Sequence, residues 1–180
     1  PDVVRELMEL QTAEAVAWIE HLPPDHGIEG CFVGDDIAWK NGPMLDPRWF
    51  REHYFPLLGR ICDSYHSKGI KVLFHSDGNL NPIMDGLVSA GIDGLNPIEV
   101  LAGMDIADLH HRYPHIFFAG AIDVSQLLPY GKPAEVRDIV RCTLDAAEGR
   151  LMVGSSTELN DDVPLENFLA MRDAVLEYTY

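Results

Sequence analysis

Residues 71–99, KVLFHSDGNLNPIMDGLVSAGIDGLNPIE, contain one strand–helix–strand unit. The apolar run at 71–78 predicts a buried strand, residues 82–91 predict a helix that ends at a glycine, and residues 93–99 predict the next strand. A helix between two such strands is typical of parallel pairing through a right-handed crossover. This unit therefore indicates an α/β fold.

The same alternation extends in both directions along the chain. Helices are predicted at 2–21, 46–69, 82–91, 104–113, 133–149 and 163–180, and strands at 30–36, 71–78, 93–99, 116–123 and 151–157. Pro56 predicts a kink or a break within the second helix, which Asp46 would cap. No linker interrupts the pattern, so we expect a single domain over residues 1–180.

Polar residues collect where the predicted strands end. They are Asp35, Asp36, His75, Asp77, Asn96, Glu99, Asp123, Thr157 and Glu158. In a TIM (β/α)8 barrel the active site is built from the loops at this carboxyl edge. The pattern predicts the C-terminal five strand–helix units of such a barrel, which would be incomplete. The sequence begins at Pro1 rather than Met, and this indicates a fragment of a longer chain.

An incomplete barrel leaves the inner face of its sheet uncovered. The first strand, 30–36, and the last, 151–157, would each lack a neighbour on the outer side. Apolar side chains would then be exposed, and we expect this of Cys31, Val33, Phe117 and Val153. Self-association into a homo-oligomer is one way of covering such a face.

The composition restricts the partners. The net charge is −16, whereas nucleic acids and anionic membranes attract basic surfaces, so neither is expected to bind. No apolar run reaches the roughly 18 residues of a membrane span, and no signal peptide is evident. No glycine-rich phosphate loop follows a strand. The three cysteines have neither zinc-type spacing nor a disulfide pattern, which predicts a reducing, cytoplasmic location.

His75 and Asp77 lie two residues apart in FHSDGN (74–79), so both would face the same side of a strand. Imidazole and carboxylate are acceptable zinc ligands, but a zinc site needs at least one more protein ligand. The candidates for that ligand are Asp35, Asp36, Asp123 and Glu158. In the structural alternative, Asp77 accepts hydrogen bonds from the turn at Gly78 and Asn79, and His75 is a core histidine.

The predicted catalytic residues are His75, Asp77, Asp35, Asp36 and Asp123. Asp35 and Asp36 are adjacent, so only one can face the barrel interior. Two close carboxylates often separate their pKa values, which leaves one able to act as a general acid. Each aspartate could instead cap a helix or a turn. The predicted substrate-binding residues are Asn79, Asn96, Thr157 and Glu158.

Four stretches, in order, resemble the C-terminal half of the uroporphyrinogen decarboxylase family. They are VGDD (33–36), FHSDGN with LVSAGIDGLN (87–96), FFAGAID (117–123) and DDVPLENFLAMRDAVLEY (161–178). The family fold is an eight-stranded barrel. The resemblance implies an enzyme of porphyrin biosynthesis type, which decarboxylates a tetrapyrrole or other small carboxylated substrate with acid–base residues and no cofactor. The alternatives are zinc-assisted methyl transfer from a corrinoid protein to a thiol, and a non-catalytic family member.

The sequence departs from both enzymatic branches of that family. The methyltransferases bind zinc through a His-x-Cys pair and a later Cys, which fall on His75, Asp77 and the vicinity of Thr157. Zinc on His75 and Asp77 is therefore expected to bind weakly, because thiolates are replaced. The decarboxylases have a His at the position that falls near Thr157 here, and they need Arg or Lys to bind a polycarboxylate. The strand-end loops of this chain supply little beyond Lys40.

Overall fold

A five-stranded parallel sheet forms the centre of the fold. The computed structural model describes residues 2–148 and 150–179. Its strands are β1 Gly30–Gly34, β2 Ala38–Trp39, β3 Gly42–Pro43, β4 Lys71–His75, β5 Gly94–Ile98, β6 Phe117–Ile122 and β7 Leu151–Ser155. The large sheet has the order β1-β4-β5-β6-β7, and β2 and β3 form a separate antiparallel hairpin. This topology confirms the predicted α/β fold with parallel strands.

Helices cover one face of the large sheet. They are α1 Asp2–Glu20, α2 Pro47–Trp49, α3 Phe55–Ser67, α4 Met84–Ser89, α5 Ile106–Arg112, α6 Leu127–Tyr130, α7 Pro133–Ala147 and α8 Leu165–Leu176. Short 3-10 turns occupy Asn81–Ile83 and Val100–Ala102. All six predicted helices are present, with most ends a few residues shorter, while the predicted ends at 149 and 180 lie outside the described residues. The short α6 and the hairpin were not predicted.

The interruption predicted at Pro56 takes the form of a π-helical turn at Phe50–Tyr54. Proline has no N–H and cannot continue the regular hydrogen-bond ladder. Just before it, the N–H of Phe55 donates to the carbonyl of Phe50, five residues back. The turn therefore joins α2 to α3. At the start of this helical segment, Asp46 accepts a 2.8 Å hydrogen bond from the Arg48 N–H, which confirms the predicted cap.

The two faces of the sheet differ sharply in exposure. Val72 and Phe74 of β4 are fully buried under the helices, whereas Phe32 of β1 and Met152 of β7 are 61% and 54% exposed on the open face. Phe117 is half-buried on that open face, in register with Gly94 of β5. The sheet is thus covered on one side only.

Three of the four exposed residues predicted for the open face were assigned to the wrong side. Cys31 pairs in register with Val72, and Val33 pairs with Phe74, so both lie on the helix-covered face. Val153 likewise packs against the core. The prediction placed these residues inside the barrel because alternation along a strand does not say which of its two faces is the inner one.

At the amino edge of the sheet, Asp93 joins three elements. Its carboxylate accepts hydrogen bonds from Lys71 Nζ at 2.7 Å and from the Val72 N–H at 2.9 Å, and it contacts His66 Nε2 at 2.7 Å. Burial acts to raise the pKa of Asp93, but these hydrogen bonds outweigh it and lower the pKa. Asp93 therefore links α3, β4 and the start of β5 as an ionised group.

At the carboxyl edge, two buried serines connect neighbouring strands. Ser76 Oγ, just after β4, accepts a 3.1 Å hydrogen bond from the N–H of Ile37, which follows β1. Ser156 Oγ, just after β7, accepts a 3.3 Å hydrogen bond from the N–H of Val124, which follows β6. The loops of this edge therefore start from fixed positions.

The described helices are all too short or too polar to cross a lipid bilayer.

Candidate functional site

Asp36, His75 and Asp77 converge at the carboxyl edge of the sheet. Each offers one potential metal-ligand atom, and the three atoms lie within 4.8 Å of one another. His75 is the last residue of β4 and pairs in register with Gly34 of β1. Asp36 and Asp77 each lie two residues beyond their strand. The structure brings His75 and Asp77 together, as their spacing in the sequence predicted.

Hydrogen bonds hold the carboxylate of Asp36 and the backbone of Asp77 in place. The N–H of Asp77 donates to Asp36 Oδ1 at 3.0 Å, and the Ser76 hydroxyl donates to the Asp77 carbonyl at 2.9 Å. The next N–H, from Gly78, donates to Glu99 Oε2 at 2.7 Å. The loop after β4 is therefore bonded to the segments that follow β1 and β5.

One atom of the cluster lacks a hydrogen-bond partner. Asp77 Oδ1 is buried and is paired with no donor in the described part of the chain. Burial raises the pKa of Asp77 first, and the negative charges of Asp36, Glu99 and Glu158 raise it further, while His75 opposes them. A buried carboxylate in this position favours either a bound cation or a proton.

His75 has one hydrogen-bonding neighbour on the adjacent strand. Its Nδ1 lies 2.8 Å from Oδ1 of Asn96. The contact follows from the register of the sheet, in which His75 of β4 pairs with Asn96 of β5. The imidazole is therefore placed by two rigid elements rather than by a loop.

A cavity of about 280 Å³ opens next to His75 on the open face of the sheet. The polar residues that line it are His75, Asn96, Ser155, Thr157 and Glu158. The Thr157 hydroxyl donates to Glu158 Oε2 at 2.7 Å and lowers the pKa of that carboxyl group. Among the described lining residues there is no lysine or arginine. The cavity thus joins an imidazole to an ionised carboxylate rim.

The β2–β3 hairpin packs on the loop that carries Asp77. Gly78 has φ +90°, and a Cβ there would lie 2.7 Å from the carbonyl carbon of Ala38 and 2.8 Å from the Trp39 oxygen. The N–H of Asn79 donates to the same Trp39 oxygen at 2.9 Å. Only glycine fits this position without moving the hairpin. The Gly-Asn pair in FHSDGN marked the turn, but its contact with a hairpin was not predicted.

Asp35, a predicted catalytic residue, does not line the cavity next to His75 and is not part of the cluster. Its backbone N–H donates to the His75 carbonyl at 3.0 Å and so continues the pairing of β1 with β4. Successive residues of a strand face opposite sides, so Asp35 lies on the same helix-covered side as Val33. There it lies beside Tyr54, whose pKa is raised by burial and then by the charge of Asp35. Of the adjacent pair, Asp36 alone joins the cluster.

Two further predicted site residues, Asp123 and Asn79, make local capping contacts. Asp123 accepts hydrogen bonds from the N–H groups of Ser125, Gln126 and Leu127 at 2.9 to 3.1 Å, and it lines a different cavity from His75. Asn79 Oδ1 accepts a 3.1 Å hydrogen bond from the Asn81 N–H at the start of a 3-10 turn. Both use side-chain oxygens for capping, the alternative that short polar residues after a strand always offer.

Glu99 lies beside the cluster but was given no role from the sequence. It accepts from the Gly78 N–H and adds to the charge that acts on Asp77. Its position at the end of the predicted strand 93–99 was the signal that the sequence offered. The contact with Gly78 depends on which strands are neighbours, and the sequence does not state this directly.

The chain is similar to known proteins in its family profile and in its fold. The uroporphyrinogen decarboxylase (URO-D) family profile matches residues 1–178. A methyltransferase from Methanosarcina mazei superposes with a TM-score of 0.76 at 20% identity, over 98% of this chain and 50% of the other. An uncharacterized protein gives a TM-score of 0.45 at 14% identity, over 88% of this chain and 44% of its own.

No curated protein sequence matches the chain at a significant level. The chain spans about half the length of the methyltransferase that it resembles, which agrees with the expected incomplete barrel. Since the family profile covers nearly the whole sequence, the chain belongs to the uroporphyrinogen decarboxylase (URO-D) family.

Proposed function

We propose that this chain provides the metal-binding half of a URO-D-family enzyme that transfers a methyl group to a thiol. The observation that carries the proposal is the cluster of Asp36, His75 and Asp77, whose potential ligand atoms lie within 4.8 Å of one another. The similarity of the fold to a methyltransferase supports it. A corrinoid protein is the proposed methyl donor, as the family resemblance implies.

The donor set fits a divalent cation such as zinc. One imidazole and two carboxylates are acceptable ligands, and the unpaired Asp77 Oδ1 is an atom that a cation would satisfy. A bound cation would lower the pKa of a thiol substrate and so make it a better nucleophile. Without thiolate ligands the affinity for zinc should be modest, and protein purified without added metal should contain well under one zinc per chain.

The residues around the cluster would hold and orient the thiol substrate. The cavity of about 280 Å³ begins at His75, and Asn96 and Thr157 offer it hydrogen-bonding groups. A methylated corrinoid would supply the methyl group and keep the electron pair of the bond that it gives up, and the thiol sulfur would accept the methyl group. The thiol proton passes to solvent. The chain's own contribution is therefore placement of the sulfur beside the cluster.

Metal titration of the purified protein tests this proposal. Zinc added to metal-free protein should bind at one site, and Asp77→Asn should weaken the binding at least about tenfold, because a ligand is lost. The matched control is Asp123→Asn, which changes another aspartate at the same edge of the sheet but leaves the cluster intact. Equal losses in the two variants, or no zinc binding by the wild type, would refute the metal site.

A transfer assay tests the reaction itself. Methylcobalamin and a simple thiol should give cob(I)alamin and a thioether, and the change in the visible spectrum reports it. The rate should depend on added zinc in the wild type and be lost in Asp77→Asn, while Asp123→Asn stays active. If the protein bound zinc but transferred no methyl group, the metal site would stand and the proposed reaction would be refuted.

Decarboxylation of a carboxylated substrate is a second candidate function, and the buried oxygen of Asp77 favours it as well. If no cation binds, burial and the negative charges of its neighbours raise the pKa of Asp77 above its ordinary value, which favours the protonated form. A protonated Asp77 could act as a general acid toward the carbon from which CO2 departs. Release of CO2 from uroporphyrinogen in the presence of a chelator would support this reaction over methyl transfer.

A further inference from the structure

We infer that Asn96 is a positioning residue that fixes neutral His75 in the tautomer with its proton on Nδ1. The nitrogen left with a free lone pair is then Nε2. The purpose of this arrangement, ligation of a cation by His75, rests on the proposed function. The tautomer itself can be observed without any metal.

The contact is built into the sheet. His75 ends β4 and Asn96 lies in register beside it on β5, so their side chains leave the same face of two paired strands. The 2.8 Å separation between His75 Nδ1 and Asn96 Oδ1 is that of a good hydrogen bond. The Asn96 carbonyl also accepts a 3.0 Å hydrogen bond from the Ser76 N–H, which holds the two backbones together next to this contact.

Hydrogen-bond chemistry then assigns the proton. An amide oxygen can only accept, so an imidazole nitrogen that faces it must donate, and in a neutral ring the other nitrogen must then be unprotonated. The surroundings agree with this. No hydrogen bond joins the ring to Asp77 Oδ1 among the described residues, so no contact there requires a proton on Nε2.

Such a contact is expected to affect cation binding as well as ring orientation. A histidine that ligates a metal through one nitrogen is usually held by an acceptor at the other, and loss of that acceptor lowers metal affinity roughly 10- to 100-fold. Asn96 differs in this respect from Thr157 and Glu158, which line the same cavity but bond to each other. We therefore infer that Asn96 positions His75, in addition to any contact that it makes with the substrate.

Nitrogen-15 NMR of the metal-free protein tests the tautomer directly. Spectra are recorded at a pH high enough for neutral imidazoles, where protonated and unprotonated ring nitrogens have well-separated chemical shifts. The chain has eight histidines, so His75→Gln identifies the signals of His75 by their loss. The wild type should show the proton on Nδ1. A proton on Nε2 would overturn the inference.

Two substitutions of Asn96 separate positioning from general packing. Asn96→Leu keeps the size of the side chain but removes the acceptor, whereas Asn96→Asp keeps an acceptor at the same place. The leucine variant should lose the preference for Nδ1–H and bind zinc about 10- to 100-fold more weakly, and the aspartate variant should retain the tautomer. Melting curves show whether either variant is unfolded. If one is, the wild-type spectrum still tests the tautomer of His75.

The two proposals fail in different ways. An unchanged His75 spectrum and unchanged zinc affinity in Asn96→Leu would overturn the role of Asn96 and leave the metal site in place. A wild type that shows Nδ1–H but binds no zinc would overturn the metal site and leave the contact between His75 and Asn96 established.

Discussion

Gly78→Ala is expected to destabilise the protein through one defined contact. Gly78 has φ +90°, and an added Cβ would meet Ala38 and Trp39 backbone atoms at 2.7 to 2.8 Å. These atoms belong to the hairpin, which also accepts the Asn79 N–H. The methyl group would therefore push the hairpin away from the loop that carries Asp77.

The magnitude has two parts. A left-handed conformation disfavours a residue with a Cβ by roughly 1–2 kcal/mol, and forcing a methyl group into a filled site adds about 1–3 kcal/mol. Gly103→Ala is the matched control, because Gly103 has φ +83° but nothing within 4 Å of its added Cβ. It should show the first part only. The difference between the two variants should be about 1–3 kcal/mol, a large share of a typical total of about 5–15 kcal/mol.

Urea unfolding followed by circular dichroism measures both variants against the wild type. The midpoint should fall further for Gly78→Ala than for Gly103→Ala, with similar slopes. Zinc affinity should fall in the first variant alone, since only there are Asp36 and Asp77 displaced. If the two variants were equally stable, the close approach of the hairpin to Gly78 would be wrong.

Two further predictions concern the sheet. Asp93→Ala should lower the free energy of unfolding at pH 7 by about 1–3 kcal/mol, because the Val72 N–H loses its acceptor. The folded pKa of Asp93 lies below its unfolded value of about 3.9, so this stabilisation is present above that pH and disappears as the pH falls through the folded pKa. Urea titrations from pH 7 to pH 3 in which the stability difference between wild type and Asp93→Ala stayed constant would contradict it. Phe74→Ala should destabilise by about 3–5 kcal/mol, whereas Phe32→Ala should change stability by less than about 0.5 kcal/mol, because Phe74 is buried and Phe32 is 61% exposed. Similar losses in thermal and urea unfolding of the two phenylalanine variants would refute the assignment of the two sheet faces.

The strand–helix order was predictable because it depends on local pattern. The run at 71–78 and the glycine at the end of 82–91 mark a strand and a helix whatever surrounds them, and β4 and α4 lie within those ranges. The hairpin at Ala38–Pro43 was missed because strands of two residues have no measurable periodicity. The dipeptide Asn41-Gly42 in this segment is typical of a turn.

The site was predictable in part. Residues placed by a strand, such as His75 and Asn96, lie at one cavity, since parallel strands end at one edge of a sheet. Asp35 and Asp123 do not line this cavity. The sequence does not predict this, because an aspartate after a strand can bind a ligand or cap a turn with equal ease. The choice depends on rotation of a few backbone bonds in a loop, which residue type alone does not determine.

The two buried serines have a practical meaning for combinatorial libraries. Ser76 and Ser156 connect neighbouring loops through hydroxyl oxygens that receive backbone N–H groups, so alanine or valine at either place would leave a buried donor unpaired. Lys40 and Asn41, at the hairpin tip, are exposed. A library of loop variants should therefore randomise the tip and keep both serines, because the ends of the loops then stay hydrogen-bonded.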